Sequence, residues 1–437
     1  MSAAQRELVI VSDFLPDYQI ALERSGLSTY VKTIVARFAA RGWRITWLLL
    51  RPRITNLAID EARLPYRLVS PAMRSVRGRA VLVSPVAIAT TLAYWLFDLL
   101  PKPLRAAVER ARLSLRRARG FSHVLGAFLS PAERRFVQRY TQRAQPDVVL
   151  YDSIFNYCEG VRARSGWIIT HDVKIQRAES LRARGFEVRP HGFSSETEHA
   201  VLCAARNLIA IQRDDAAAFR RIVPSARVVE LPMAIDVGVP ARAPRRPGRC
   251  VLVASGTLPN VDGIGWFFAS CWDEIRARVP HAHLEIYGTI CLRLASVPQN
   301  VTLRGTRHEL PEIFAGATVA IAPLLAGSGL KLKVVEAMAY GVPMVTTSIG
   351  AQGLLSIEPR PFVVANDPRE FADAVTRLLT DDDEHAALVR AARAAAPCFS
   401  ADHVFAPLEA AIAGDLGASG ASEAAGERTA VMAASAR

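Results

Sequence analysis

Short apolar runs alternate with amphipathic stretches along most of the chain, the pattern of parallel strands buried on both faces between helices. Residues 8–12 read as a strand that ends at Asp13. A helix opens at Ser25-Gly26-Leu27-Ser28 and runs to about residue 40. Gly42 stops it, and residues 45–50 form the next strand. Later strands are expected at 148–151, 167–170, 208–211 and 228–231. The Pro-, Arg- and Ala-rich stretch from Asp236 to Arg249 lacks apolar periodicity and reads as a linker. The same grammar then restarts. Strands are expected at 251–254, 283–288, 301–305, 319–323, 344–347 and 362–365, with helices at 265–278, 368–379 and 384–395.

These elements predict an α/β protein of two domains with parallel sheets. The boundaries are 1–238 for the first domain, 239–249 for the linker and 250–415 for the second domain. Residues 416–437 are rich in Ala, Gly and Ser and predict a disordered tail. Two such domains imply a cleft, and ligands of open α/β sheets sit beyond the carboxyl ends of the strands. The glycine turns at Gly26, Gly256 and Gly327-Ser328-Gly329 all fall there.

The densest chemistry lies between Gly327 and Pro343. A glycine turn lets backbone amides approach an anion, and the helix after it points its positive end the same way. Lys331 and Lys333 in the first turn oppose the helix dipole unless a negative ligand is present. Glu336 follows one turn further in. A phosphate with a hydroxylated group beyond it suits this arrangement, as in a nucleotide-sugar. The plain alternative is a surface ion pair between Lys333 and Glu336, three residues apart on one helix face. Gly341 and Pro343 read as the helix stop and strand entry, and Leu330, Val334 and Met338 as core.

Composition changes the picture at three points. Half of the 437 residues are apolar, enough for a large core. The six cysteines are scattered without a Cys-x-x-Cys pair, which argues against a disulfide framework or a zinc site. The polar start of the chain, running straight into a strand, predicts no signal peptide. The net charge of +13 comes largely from dispersed arginines with no aromatic-interleaved motif, so nucleic acid is the least favoured partner. The densest basic run, residues 105–119, follows an apolar stretch at 81–100. The apolar stretch at 81–100 suggests a buried or hairpin-forming segment, a patch dipping into an anionic membrane interface with the help of the basic run, or a bilayer span, in that order, and residues 79–119 together form a basic, apolar membrane-proximal segment. Asp381-Asp382-Asp383 reads as a helix N-cap before a metal site.

The second half resembles the group-1 glycosyltransferases of family 4, which have the GT-B fold of two Rossmann-like domains facing a central cleft. The matching segments are residues 255–262, 284–288, 304–306 and 323–353. The first half matches more loosely, through Gly26 and its helix, Thr170-His171-Asp172, and residues 231–236. The resemblance implies a retaining hexosyltransferase that uses a UDP- or GDP-sugar without a bound metal or cofactor. It implies donor contacts from Gly256, Thr257, Asn260, Arg304, Thr306, Ser328, Gly329, Leu330, Lys333 and Glu336, with Glu336 on the ribose hydroxyls. His171 would lie at the sugar, and Gly26, Ser28, Asp172 and Arg177 on the acceptor side. Many members carry a first glutamate eight positions before the second. Here that position is Ser328, as in a branch with Gly-Ser/Ala-Gly followed by Arg/Lys-x-Lys.

Lys333, the amides at 328–330 and those around Gly256 and Thr257 are candidates to take up charge on a leaving diphosphate. A UDP-sugar epimerase would use the same nucleotide site, but it needs paired carboxylates, which Ser328 weakens. A non-catalytic nucleotide-sugar-binding membrane scaffold is the other alternative. The expected acceptor is lipid-linked, at the inner face of a membrane in cell-envelope polysaccharide assembly.

Overall fold

The computed structural model describes residues 5–16, 18, 26–101, 103–109, 111, 123–124, 126–189, 193–235, 244–307 and 309–435. For 26–28, 123–124 and 419–435 it describes the backbone alone. The main sheet of the first domain has seven strands: β1 (Glu7–Ser12), β2 (Arg44–Leu49), β3 (Arg67–Val69), β4 (Val148–Tyr151), β5 (Ser165–Ile169), β6 (Asn207–Ala210) and β7 (Arg227–Glu230). Their order across the sheet is β7-β6-β5-β4-β1-β2-β3, all parallel. The second domain holds β8 (Arg249–Val253), β9 (His283–Tyr287), β10 (Val301–Gly305), β11 (Val319–Ala322), β12 (Met344–Thr346) and β13 (Phe362–Val364). Their order is β10-β9-β8-β11-β12-β13, again all parallel.

Both faces of each sheet are covered. Ile10, Trp47, Leu150 and Ile169 belong to one core, while Val9, Val11, Val149 and Ile168 face another. This two-sided burial explains why the strands read as unbroken apolar runs. Chain order reverses between β4 and β1 in one sheet and between β8 and β11 in the other, and the polar residues of interest follow these strands.

Several elements depart from the sequence reading. Arg249, placed in the linker, begins β8, and its buried guanidinium donates to Glu285 Oε2 at 2.7 Å. Residues 236–243 of the linker lie outside the described residues. The helix expected from Gly265 begins at Leu258, with Pro259 in its first turn, and ends at Ser270. A Cβ on Gly263 would meet the Pro323 carbonyl oxygen at 2.0 Å, so that glycine serves close packing. Asp381 caps the helix Asp382–Ala395 by accepting from the amides of Asp383 and Glu384.

The apolar stretch at 81–100 is divided. Its start completes the antiparallel pair Met73–Val76 and Arg79–Leu82. Ser84 then caps a helix, Pro85–Leu99. Only Ala87 and Thr91 of this helix are buried, whereas Val86, Leu96 and Leu99 are 77%, 68% and 79% exposed. Among the described residues no other element covers the outer face of this helix, so the buried reading does not hold there. Fifteen helical residues reach about 22 Å, short of the ~30 Å of a bilayer core. Among the described residues no helix is long and apolar enough to cross a membrane.

The last helix, Ala401–Ser435, continues through the stretch whose composition suggests a disordered tail. It packs against the first domain. Leu408, Ile412 and Leu416 are buried with residues of the first sheet. Arg37 grips Glu409 with Nε–Oε1 at 2.6 Å, and Asp415 accepts from Ser165 Oγ and Arg227. Through these contacts the helix crosses from the second sheet to the flank of the first.

Candidate functional site

The loop after β11 leads through Gly327-Ser328-Gly329 into the helix Leu332–Ala339. Gly327 and Gly329 have φ of 126° and 74°, which an L side chain resists. Lys331 folds back on this turn. Its Nζ donates to the carbonyls of Ser328 at 2.9 Å and Gly329 at 2.6 Å. Its charge is thus met by the turn itself, and burial lowers its pKa to about 7, with Arg177 adding to the effect. Lys331 is the turn's brace, a role absent from the sequence reading. Leu330, Val334 and Met338 are core, as expected.

Lys333 reaches the other way. Its Nζ donates to Asn260 Oδ1 at 2.8 Å, and burial lowers its pKa to about 8. Burial raises the Glu336 carboxyl to about 7, with Lys333 pulling it down. Among the described residues the two make no ion pair within 4 Å, so the plain surface-pair alternative does not hold.

Asn260 ties Lys333 to the turn after β8. Its Nδ2 donates to Ser255 O at 2.9 Å and to Thr257 Oγ1 at 3.0 Å. Thr257 is the N-cap of the helix Leu258–Ser270 but makes no side-chain cap bond. The Gly256 amide, expected to face an anion, instead donates to Thr289 Oγ1 at 2.9 Å. The hydroxyl after β9 has taken that donor. Arg304 also has a partner: its guanidinium serves Glu285, with Nε–Oε1 at 2.9 Å. Burial would raise the pKa of Glu285, but Arg304, Arg249 and Tyr287 hold it at about 2. Thr306 is exposed nearby.

The first domain presents the ends of β1, β4 and β5. His171 has φ of 61° and is buried, with Nε2 at 2.6 Å from Asp152 O and 3.0 Å from Asp152 Oδ1. Asp152 also accepts from Ser12 Oγ at 2.9 Å. Tyr30 of the helix Gly26–Ala40 meets the His171 ring edge-on at 5.9 Å. Gly26 begins that helix; the side chain of Ser28 lies outside the described residues. Asp172 is buried. It accepts from Lys174 Nζ, from Arg177 at 3.0 Å and from Ser328 Oγ at 2.7 Å. Burial opposes its ionisation, yet Lys174 and Arg177 hold its pKa well below the usual carboxylate range.

The two domains meet at this point. A Cβ on Gly329 would lie 2.7 Å from the His171 carbonyl oxygen. The Gly327 amide donates to Ser180 Oγ at 3.0 Å, and Arg184 forks onto Asp262. The structure thus brings Lys333, Glu336 and Asn260 together, and joins Ser328 and Gly329 to His171, Asp172 and Arg177. Arg304 and Thr306 stand at the edge of the second sheet. Sequence reasoning missed Asp152 and Asp215. Asp152 could have been found as the polar residue closing an apolar strand. Asp215 is buried, and burial raises it to about 7, with Asp172 adding to the effect.

Residues 249–381 match the family described as "Glycosyl transferases group 1". A Klebsiella pneumoniae protein described as an uncharacterized 44.6 kDa protein in the cps region is 34% identical over 89 residues. That match spans 20% of this chain and 21% of that protein, so the chain spans about a fifth of this curated relative. Sucrose-phosphate synthase from Thermosynechococcus elongatus superposes with a TM-score of 0.60 at 14% identity, covering 95% of this chain and 100% of that one. WaaG, a glycosyltransferase involved in lipopolysaccharide biosynthesis, superposes with 0.54 at 14% identity, over 93% and 98%. The pneumococcal O-GlcNAc transferase GtfA, in complex with UDP and GlcNAc, superposes with 0.56 at 11% identity, over 95% and 100%. Residues 249–381 are therefore similar to the group-1 glycosyltransferases, in a chain with the GT-B architecture of two Rossmann-like sheets.

Proposed function

We propose that this glycosyltransferase moves a hexose from a UDP- or GDP-sugar to an acceptor with retention at the anomeric carbon. The observation that carries the reading is the Lys333–Asn260 contact. It joins the first turn of the helix Leu332–Ala339 to that of Leu258–Ser270, at the carboxyl ends of the two strands where chain order reverses. Two helix N-termini and one half-buried amine then face the same space, which favours a diphosphate. Breaking the bond from sugar C1 to the β-phosphate oxygen leaves charge on that diphosphate. Lys333 and the positive ends of the two helices stabilise it. The departing phosphate oxygen takes the acceptor proton as the acceptor oxygen bonds to C1. Glu336 accepts from the ribose hydroxyls, and His171 borders the sugar. The UDP in the GtfA complex supports the donor class.

For the acceptor we propose a lipid-linked glycan at an anionic membrane face, in cell-envelope polysaccharide or glycolipid assembly. The exposed apolar helix Pro85–Leu99, next to exposed Arg74, Arg77 and Arg79, supports this reading. So does the likeness to WaaG, a glycosyltransferase involved in lipopolysaccharide biosynthesis. The direct test is calorimetric titration with UDP and GDP, followed by incubation with a panel of nucleotide-sugars. Binding and slow release of free sugar are expected. If neither nucleotide binds and no donor is hydrolysed, the reading is wrong.

A further inference from the structure

Arg293 follows the turn Thr289–Leu292 at the end of β9, and sequence reasoning gave it no role. Its side chain runs across Gly256. A Cβ there would meet Arg293 Cγ at 3.1 Å and Nε at 3.3 Å. Arg293 NH2 then meets Glu109 Oε2 at 3.1 Å, with the two side chains 12% and 1% exposed. Glu109 comes from the helical residues 103–109 of the first domain, which also expose Leu104 and Val108. A carboxylate of one domain is thus buried against a cation of the other. It lies beside the turn that Asn260 links to Lys333.

A buried carboxylate persists only where a cation and hydrogen-bond donors compensate for lost water. The place that compensates here is the corner where a donor diphosphate would lie. Gly256 leaves room for the guanidinium to pass, and the helix Leu258–Ser270 directs its positive end there without a side-chain cap. Arginine also suits a phosphate better than a lysine does, because its fork can hold two oxygens.

We propose that Arg293 is a diphosphate-binding residue of the donor site, and that Glu109 holds its place until the nucleotide arrives. The Glu109 carboxylate stands in for a phosphate oxygen. The incoming diphosphate takes over Arg293, and Glu109 is released together with residues 103–109. Donor binding thereby loosens a contact between the domains on the side that carries Leu104 and Val108. The proposal rests on the donor-site reading given above and adds both a residue and a competitor to it.

The test is calorimetric titration of UDP into the full chain as wild type, E109Q, R293A, the double variant and K333A. Glutamine keeps the shape of Glu109 and removes its charge, so E109Q should bind UDP about 5- to 10-fold more tightly. R293A should bind about 10-fold more weakly, and E109Q should add nothing in the R293A background. A purely structural pair would give the opposite sign for E109Q, since loosening the fold weakens binding. Hydrogen exchange of residues 103–109 should rise when UDP binds wild type. Unchanged or weaker UDP binding by E109Q, or unchanged binding by R293A, would overturn the proposal while K333A still weakens binding. If wild type binds no UDP, the donor-site reading fails and this inference with it.

Discussion

Ser328 Oγ donates to Asp172 Oδ2 at 2.7 Å, joining the glycine turn of the second domain to the strand end of the first. Asp172 remains anionic there because Lys174 and Arg177 flank it. The position that carries a glutamate in many group-1 glycosyltransferases is therefore occupied by a hydroxyl that has a carboxylate at hand. A hydrogen bond to a charged group contributes about 1.5–3 kcal/mol. S328A should lower kcat/KM by roughly 10-fold or more, measured with a saturating acceptor. An S328A enzyme with wild-type kcat/KM would show that the contact has no part in turnover.

Removing the charge of Asp172 leaves Lys174 buried without its anion. D172N should destabilise the protein by about 3 kcal/mol or more, read from urea denaturation. Because the Asp172 pKa is depressed, its contribution is present above the ordinary carboxylate pKa. It is lost only as pH falls through the lowered value. The stability difference between wild type and D172N should therefore stay constant from pH 5 to 8. A difference that vanished within that range would contradict the ion-pair account.

If Lys333 holds the donor diphosphate as proposed, donor binding should depend on pH. Burial brings its pKa to about 8, so the free amine loses its charge as pH rises through that value. A diphosphate holds the proton on, so UDP affinity should fall from pH 7 to pH 9. K333A should flatten that profile and slow turnover by about 10- to 150-fold. Isothermal titration in two buffers of different ionisation heat would also register the proton taken up.

Gly263 stands against the carbonyl that begins the loop leading to Gly327-Ser328-Gly329. A methyl group there would lie 2.0 Å from Pro323 O, so G263A must push backbone aside. Overpacking of this kind costs about 1–3 kcal/mol. A lower Tm should come with weaker UDP binding, because the displaced strand end carries residues 327–331. Wild-type values for both would mean that the helix slides without moving the loop.

The exposed face of Pro85–Leu99 is open to a direct check. Leu96→Ser with Leu99→Ser removes apolar surface that touches little else, so stability should change by less than about 0.5 kcal/mol. Co-sedimentation with anionic phosphatidylglycerol vesicles should fall several-fold at low salt. Equal pelleting of wild type and variant would argue against a lipid contact at this helix.

Both sheets were readable because parallel strands buried on two faces leave unbroken apolar runs, as in Val148–Tyr151 and Val319–Ala322. The glycine turn and the Lys333–Glu336 helix were readable because their chemistry is local. Boundaries set by tertiary packing were not. The helix Leu258–Ser270 was read as starting at Gly265, and only the placement of Pro323 against Gly263 shows why a glycine stands inside it. The Gly256 amide was expected to be free, and only the neighbouring strand reveals Thr289. Arg293 and Glu109 lie far apart in the chain, so no local pattern marks their pairing. The exposure of Pro85–Leu99 was equally hidden, since an apolar helix carries no sign of whether anything covers it.

The helix Ala401–Ser435 returns from the second sheet to seal the flank of the first, through Arg37, Ser165 and Arg227. The amino-terminal half is thus incomplete until the ribosome has made nearly everything else. A fragment ending at the linker would expose an oily flank and aggregate, whereas adding the missing helix as a separate peptide should rescue it.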